Sequence, residues 1–202
     1  MREAVRSETR ATYREAILVA AERVFGRLGF YETKMADVAA EAGVAAGTLY
    51  NYFTNKDEIF ASIIVRSREQ IDGMVQAHTG VEDPIERMRL RLRLVFGFVE
   101  DHGPLFASFI RVGGFTDYAA KRVIDEDHEL GHSKYLELSA KTFREAAERG
   151  QIRRELDPEF LAAVLSGMCD STIFAWFRRG CPPGIVDYAD QLLDLLLRGA
   201  RT

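Results

Sequence analysis

Thr48, Tyr50, Asn51 and Tyr52, with Lys34 before them and Lys56 after, are residue types that can grip a nucleic acid. A threonine hydroxyl and an asparagine amide hydrogen-bond to base edges, and the threonine methyl can touch a thymine methyl. Tyrosine hydroxyls and lysine ammonium groups suit phosphate oxygens, which fix register without reading sequence. A second group points to different chemistry. His128-Glu129-Leu130-Gly131-His132 spells H-E-x-x-H, which on a helix sets two histidines on one face for Zn²⁺ with the glutamate as general base. Its context argues against a hydrolase: no third ligand follows, no strand is there to hold a substrate, and a glycine sits inside the motif. A partly exposed histidine pair among Asp125, Glu126, Asp127 and Glu129 is the reading preferred here, with no metal, no cofactor and no catalytic residue expected.

The first group needs elements to position it, and residues 33–60, TKMADVAAEAGVAAGTLYNYFTNKDEIF, supply them. Val38, Ala39 and Ala42 make one face of a short helix, with Thr33 placed to cap it. Gly43 follows where the chain must turn, in the position a glycine takes after a helix. Ala39, Ala42 and Ala46 are small enough for two helix axes to approach. Val44 and Leu49 are inward plugs, which leaves Gly47, Thr48, Asn51 and Tyr52 outside. This is a helix-turn-helix pattern, whose second helix enters the DNA major groove. Lys34, Ala46, Gly47, Thr48, Tyr50, Asn51, Tyr52 and Lys56 are therefore the candidate DNA contacts.

The segment Gly29–Phe60 resembles the DNA-binding domain of the TetR (tetracycline-repressor-like) family. The resemblance rests on Gly29-Phe30, Thr33, Asp37-Val38-Ala39, Ala42-Gly43-Val44, Gly47-Thr48-Leu49-Tyr50, Tyr52-Phe53 and Lys56-Asp57-Glu58-Ile59-Phe60. A preceding amphipathic helix over residues 9–28, with Tyr13, Ile17, Ala20, Ala21, Val24, Phe25 and Leu28 at helical period, fits it too. Three positions depart from the family pattern: Ala45 replaces a capping serine, Ala46 a frequent Lys or Arg, and Ala36 a base-reading Arg of some members. The surface is thus short of long polar side chains. Specificity should lean on Thr48, Tyr50, close backbone approach at Gly47, and DNA shape.

Composition sets bounds on the rest. The chain has 202 residues, 27 Lys and Arg against 31 Asp and Glu, and a net charge of −4. Residues 1–56 are near neutral and the remainder carries the acidic excess, so any attraction to DNA must come from local clustering. Arg2, Arg6, Arg10 and Arg14 form one stripe if the start is helical, with Arg10 or Arg14 the better placed for a phosphate. Two cysteines, Cys169 and Cys181, are too few for a disulfide framework. The start has no apolar stretch of a signal peptide, and no apolar run approaches the length of a membrane span. A cytoplasmic protein without membrane contact is expected.

Beyond residue 55 every segment reads as helix, giving an all-α fold of about nine helices in two domains, 1–56 for DNA and 57–202 for ligand and dimerisation. A long helix runs from Asn55 to about Ala77. Asp83-Pro84-Ile85-Glu86 starts another, expected to end near Asp101, with His102-Gly103-Pro104 beginning a shorter one through Arg111. Residues near 122–149 form a helix, Asp157-Pro158 starts the next to Gly180, and the last runs to about Leu197. The final two helices are more apolar than one small core requires. The resemblance implies that they pair across a two-fold axis into a homodimer, which would space two recognition helices one DNA turn apart on a palindromic operator. It also implies an effector pocket in the body. Phe98, Phe106, Phe109, Tyr135, Phe174 and Trp176 are candidate walls, with Arg111 and Asp170 as polar anchors. Arg111 suits an anionic group or a pairing with Asp117. The function expected is a ligand-released repressor; a non-specific DNA binder and a metal-dependent hydrolase are the alternatives from other classes.

Overall fold

The computed structural model describes the backbone of residues 2–77, 80–110 and 118–200, and the side chains of 10–77, 80–103 and 133–199. Eight helices are described: α1 (Arg2–Leu28), α2 (Met35–Glu41), α3 (Ala46–Tyr50), α4 (Lys56–Ala77), α5 (Pro84–Ile110), α6 (Tyr118–Glu148), α7 (Pro158–Arg178) and α8 (Val186–Ala200). No strand occurs among the described residues. The chain divides into two compact units, Met1–Ser67 with Pro104–Asp125, and Arg68–Gly103 with Glu126–Thr202.

In the first unit, α1, α2, α3 and the start of α4 close on one core. Ile17, Leu18, Ala21 and Phe25 of α1 meet Val38 and Ala39 of α2, Leu49 of α3, and Ile59, Phe60 and Ile63 of α4. Phe25, Phe30 and Phe60 lie with ring centroids 5.2–5.8 Å apart, a separation at which aromatic rings attract beyond their buried area. The turn after α2 is built as the sequence predicts. Gly43 has φ 67°, its N–H reaches Ala40 O at 3.2 Å, and Val44 N–H reaches Ala39 O at 3.0 Å. That pair of bonds is a Schellman closure, and only glycine adopts its left-handed position without strain. Thr33 does not cap α2, contrary to the sequence expectation. Its hydroxyl donates back to Gly29 O at 2.7 Å. Lys34 is the N-cap, and Asp37 closes it by accepting from Lys34 N at 2.8 Å.

The second unit packs α5, α6, α7 and α8 around Met88, Leu92, Phe96, Phe143, Leu161, Leu165, Trp176, Ala189 and Leu193. Asp83 caps α5 by accepting from Ile85 N and Glu86 N, both at 2.9 Å. Those donors, Glu86 N–H foremost, hold its carboxyl below the usual range. Asp157 caps α7 in the same way. The expected break at His102-Gly103-Pro104 is absent: α5 continues to Ile110, so two expected helices are one. Proline removes one hydrogen bond from a helix but keeps a helical φ. Gly103 is needed for a separate reason, because a Cβ there would overlap the Trp176 ring. On the outside, Arg89 bridges Asp190 and Asp194 at 3.2 and 2.8 Å, and Arg93 reaches Asp190 at 2.6 Å, which pins α5 to α8. One helix departs from the expectation that no apolar run approaches a membrane span. By length and composition α7 is apolar enough to cross one, with mean hydropathy 1.5 over its best window, of which 33% is buried.

Candidate nucleic-acid interface and ligand-binding body

Leu49 is fully buried and anchors α3 to the first core, which fixes the residues around it outward. Ala46, Gly47, Tyr50 and Asn51 are exposed and Thr48 is half-buried. Tyr50 is 54% exposed, large for an aromatic side chain with no aromatic partner described. Ala45 sits at the N-cap with extended backbone and no side-chain hydrogen bond, as alanine there implies. Lys34 is exposed at the start of α2, and so is Ala36. Tyr52 is half-buried and stacks on Tyr13 at 6.4 Å, with the Arg10 guanidinium 5.8 Å from its ring centroid. Arg14 lies over Phe53 at 5.0 Å and donates to Ser62 Oγ at 2.8 Å, which engages it with α4. The side chains of Arg2 and Arg6 lie outside the described residues.

Lys56 behaves differently from the other candidates. Its Nζ donates to the carbonyls of Phe30, Tyr31 and Thr33 at 2.9, 2.8 and 3.1 Å. An ammonium has three hydrogens, so all of them are engaged within the protein. Lys56 ties the start of α4 to the loop after α1.

In the body, Phe98, Tyr135 and Trp176 come from three helices and face inward. Phe98 is buried and stacks on His102 at 4.0 Å, while His102 Nδ1 lies 2.9 Å from Phe98 O. Trp176 is buried and donates from Nε1 to Pro182 O at 2.5 Å. Tyr135 is packed beside Arg91, Ser139 and Cys169, and burial pushes its hydroxyl far above the ordinary tyrosine range. Burial likewise raises Cys169 to about 12. Asp170 and Phe174 are not part of this group; both are exposed on the outer side of α7. Phe106, Phe109 and Arg111, and the side chains of His128, Glu129 and His132, lie outside the described residues. Among the described residues no three His, Cys, Asp or Glu form a metal-ligating group. Sequence reasoning passed over Arg91, which is 4% exposed. The signal was present, since Arg91 falls on the helical stripe of Met88, Leu92 and Val95.

The outer face of α7 and α8 exposes several large apolar side chains. Phe160 is 61% exposed, Phe174 52% and Leu195 64%, with Ala163 and Gly167 also exposed and Leu192 and Leu196 half-buried. A groove of about 660 Å³ opens there, lined by Ser171, Thr172, Phe174, Arg178, Arg179 and Tyr188 among others. Large apolar side chains left together on a surface mark an interaction site.

Residues 17–63 match the family model described as bacterial regulatory proteins, tetR family, and residues 81–200 match a tetracyclin repressor-like C-terminal domain. The HTH-type transcriptional repressor BepR of Brucella suis is 29% identical over 196 residues, spanning 95% of this chain and 88% of BepR. The HTH-type transcriptional regulator TtgR of Pseudomonas putida is 30% identical over 203 residues, spanning 94% and 91%. Among solved structures, the fatty acid degradation regulator FadR from Bacillus halodurans superposes with a TM-score of 0.75 at 22% identity, over 93% of this chain and 95% of its own. FadR from Bacillus subtilis in complex with stearoyl-CoA gives 0.73 at 24%, over 93% and 99%. The two structures share this chain's fold, and the relatives are transcriptional regulators rather than enzymes.

Proposed function

Because the chain belongs to the tetR family of bacterial regulatory proteins, we propose that it is a repressor that holds a palindromic operator as a homodimer and releases it when a small molecule enters the helical body. The observation that carries the DNA reading is α3, a short helix anchored by Leu49 with Gly47, Tyr50 and Asn51 exposed. Thr48 and Asn51 read base edges, Tyr50 reaches the backbone, and Gly47 lets the helix approach closely. Lys34 and Arg10 supply positive charge at the rim. The exposed apolar side chains of α7 and α8 support the dimer, and a relative named as a repressor supports the sign of regulation.

Release is a matter of differential affinity: a ligand that favours one arrangement of the body over another shifts the population that can bind DNA. α4 is suited to carry that shift. Its first turns contribute Ile59, Phe60 and Ile63 to the DNA-binding core, and Arg66 bridges Glu15 and Glu22 of α1, each at 2.6 Å. A displacement of α4 therefore drags α1 with it. FadR of Bacillus subtilis, solved in complex with stearoyl-CoA, supports a ligand with a long apolar chain as the counterpart here.

The test uses DNA selected from a randomised pool by the wild-type protein. Thr48→Ala and Tyr50→Ala should each weaken binding to that DNA by about fivefold to a hundredfold, the effect of about 1–3 kcal/mol at a specific contact. Helix content and oligomeric state should not change. Unaltered affinity in both variants would remove α3 as the reading surface.

A further inference from the structure

Arg91 stands on the inner side of α5 and is 4% exposed. Nη2 donates to Thr142 Oγ1 at 2.5 Å and lies 3.6 Å from Met88 Sδ. The Thr142 hydroxyl in turn donates to Leu138 O at 2.9 Å, so its hydrogen is used. Arg91 Nε is buried and has no acceptor among the described residues. No described carboxylate pairs with this guanidinium; the acid that acts on it electrostatically, Glu145, is paired with Arg87. Among the described residues, Arg87, Arg91 and Glu145 together leave one positive charge uncompensated. Burial accordingly draws Arg91 down to about 10, which still leaves it protonated at neutral pH.

Two hydroxyls lie close by on α6, and the Tyr135 hydroxyl is engaged with Ser139 and Cys169. The Ser139 hydroxyl is fully buried without a well-formed hydrogen bond, and it lies near the Tyr135 hydroxyl, which in turn neighbours Cys169. α5 and α6 thus place a buried guanidinium and two hydroxyls beside a core of Met88, Leu92, Phe96 and Phe143. A water-poor interior does not tolerate a bare cation without a compensating partner.

We propose that Arg91, Ser139 and Tyr135 form the receptor for the carboxylate of a hydrophobic monoacid, whose tail lies among the apolar side chains of the body. One guanidinium balances one carboxylate and offers it a forked pair of donors, whereas a phosphate dianion would remain half uncompensated. The apolar surroundings demand that the rest of the ligand be hydrocarbon or aromatic. The proposal rests on the reading of this body as the effector-binding domain and names the class of effector.

The experiment compares dodecanoate, below its micelle concentration, with 1-dodecanol of the same chain length. The full chain is titrated with each, following the emission of its single tryptophan, Trp176, and the release of labelled selected DNA. Dodecanoate should bind at least tenfold more tightly than dodecanol, the scale of one charged hydrogen bond. Arg91→Met should bring the two curves together without weakening dodecanol. Should Arg91→Met fail to fold, the double variant Tyr135→Phe with Ser139→Ala should cut the preference severalfold. Equal binding of acid and alcohol by the wild type, no binding of dodecanoate, or a preference that survives these variants overturns the proposal. Tight, selective DNA binding alongside such a result leaves the repressor reading standing; failure to select any DNA sequence, by contrast, brings down that reading instead.

Discussion

Tyr50 and Lys56 look alike in the sequence as phosphate-reaching groups, and the folded chain treats them in opposite ways. Tyr50 projects, 54% exposed, while the Lys56 ammonium is engaged with three carbonyls of the loop after α1. Lys56→Met should therefore lower folding stability by about 2 kcal/mol, the scale of one charged hydrogen bond. It should leave the salt dependence of DNA binding unchanged. Arg10→Ala, which removes a rim charge, should flatten that dependence by about one unit of slope. Urea melts and binding titrations at several salt concentrations separate the two effects, and a flattened slope for Lys56→Met would restore it as a phosphate contact. The exposed surface of α3 was legible because Val44, Leu49 and the alanines leave few residues outside. The role of Lys56 was not, because its acceptors lie 23–26 residues away in the chain and no local pattern records them. Gly103 gives a second case. Alanine there gains about 1 kcal/mol of helix propensity, but its Cβ overlaps an indole held by the bond from Trp176 Nε1 to Pro182 O. Overpacking of about 1–3 kcal/mol should win. Gly103→Ala should melt earlier and shift the tryptophan emission to the red; a variant as stable as wild type would mean that the ring moves aside freely.

Among the elements, starts were easier to read than interiors. Asp83-Pro84 and Asp157-Pro158 combine a cap with a proline at the first helical position, and both caps form. Thr33 looked like the same signal, but Asp37 closes α2 from within and releases Thr33 to Gly29. In a capping box the residue at N3 accepts the N–H of the N-cap, so Asp37 marks Lys34, not Thr33, as the start. Pro104 looked like a boundary because proline breaks helices in isolation, yet its fixed φ is helical and α5 runs on to Ile110. Long-range ion pairs such as Arg89 and Arg93 with Asp190 could not be read at all, since α5 and α8 lie about a hundred residues apart. They carry a pH signature. Arg93 first, and Arg89 with it, holds the Asp190 carboxyl below its ordinary value. A carboxyl so depressed adds stability above its unfolded pKa of about 3.9, and loses it as pH falls through the lower folded value. Asp190→Asn should thus be slightly less stable than wild type at pH 7, more so at low salt. The gap should close as the pH is lowered below about 4. A gap independent of pH would show that packing of α8, not the charge, is what the variant disturbs.

At the scale of the whole molecule, the outer side of α7 and α8 is what makes the protein more than a helical domain. A helix packed on one side only would normally turn polar residues outward, yet Phe160, Phe174 and Leu195 are all more than half exposed. The composition of α7 would suit a membrane span, but Asp170 and Arg178 are exposed on the same outer side as Phe174, and in the proposed dimer a second copy of the same surface would satisfy both kinds of residue. A two-fold interface of this kind is self-complementary, so one substitution strikes it twice. Phe174→Asp with Leu195→Asp should convert the proposed dimer to monomer in sedimentation at micromolar protein, while the buried core of Leu165, Trp176, Leu193 and Leu197 keeps the helical signal intact. Affinity for selected palindromic DNA should fall by at least a hundredfold. Each monomer brings one α3, and the gain from a second linked contact, about 10²–10⁴, is lost with the linkage. Half-site DNA should be bound with nearly the same strength by variant and wild type, because α3 and its anchor Leu49 are untouched. A variant that remains dimeric would place the interface elsewhere. One that becomes monomeric yet keeps full palindrome affinity would show that dimerisation does not set the spacing of the two α3 helices.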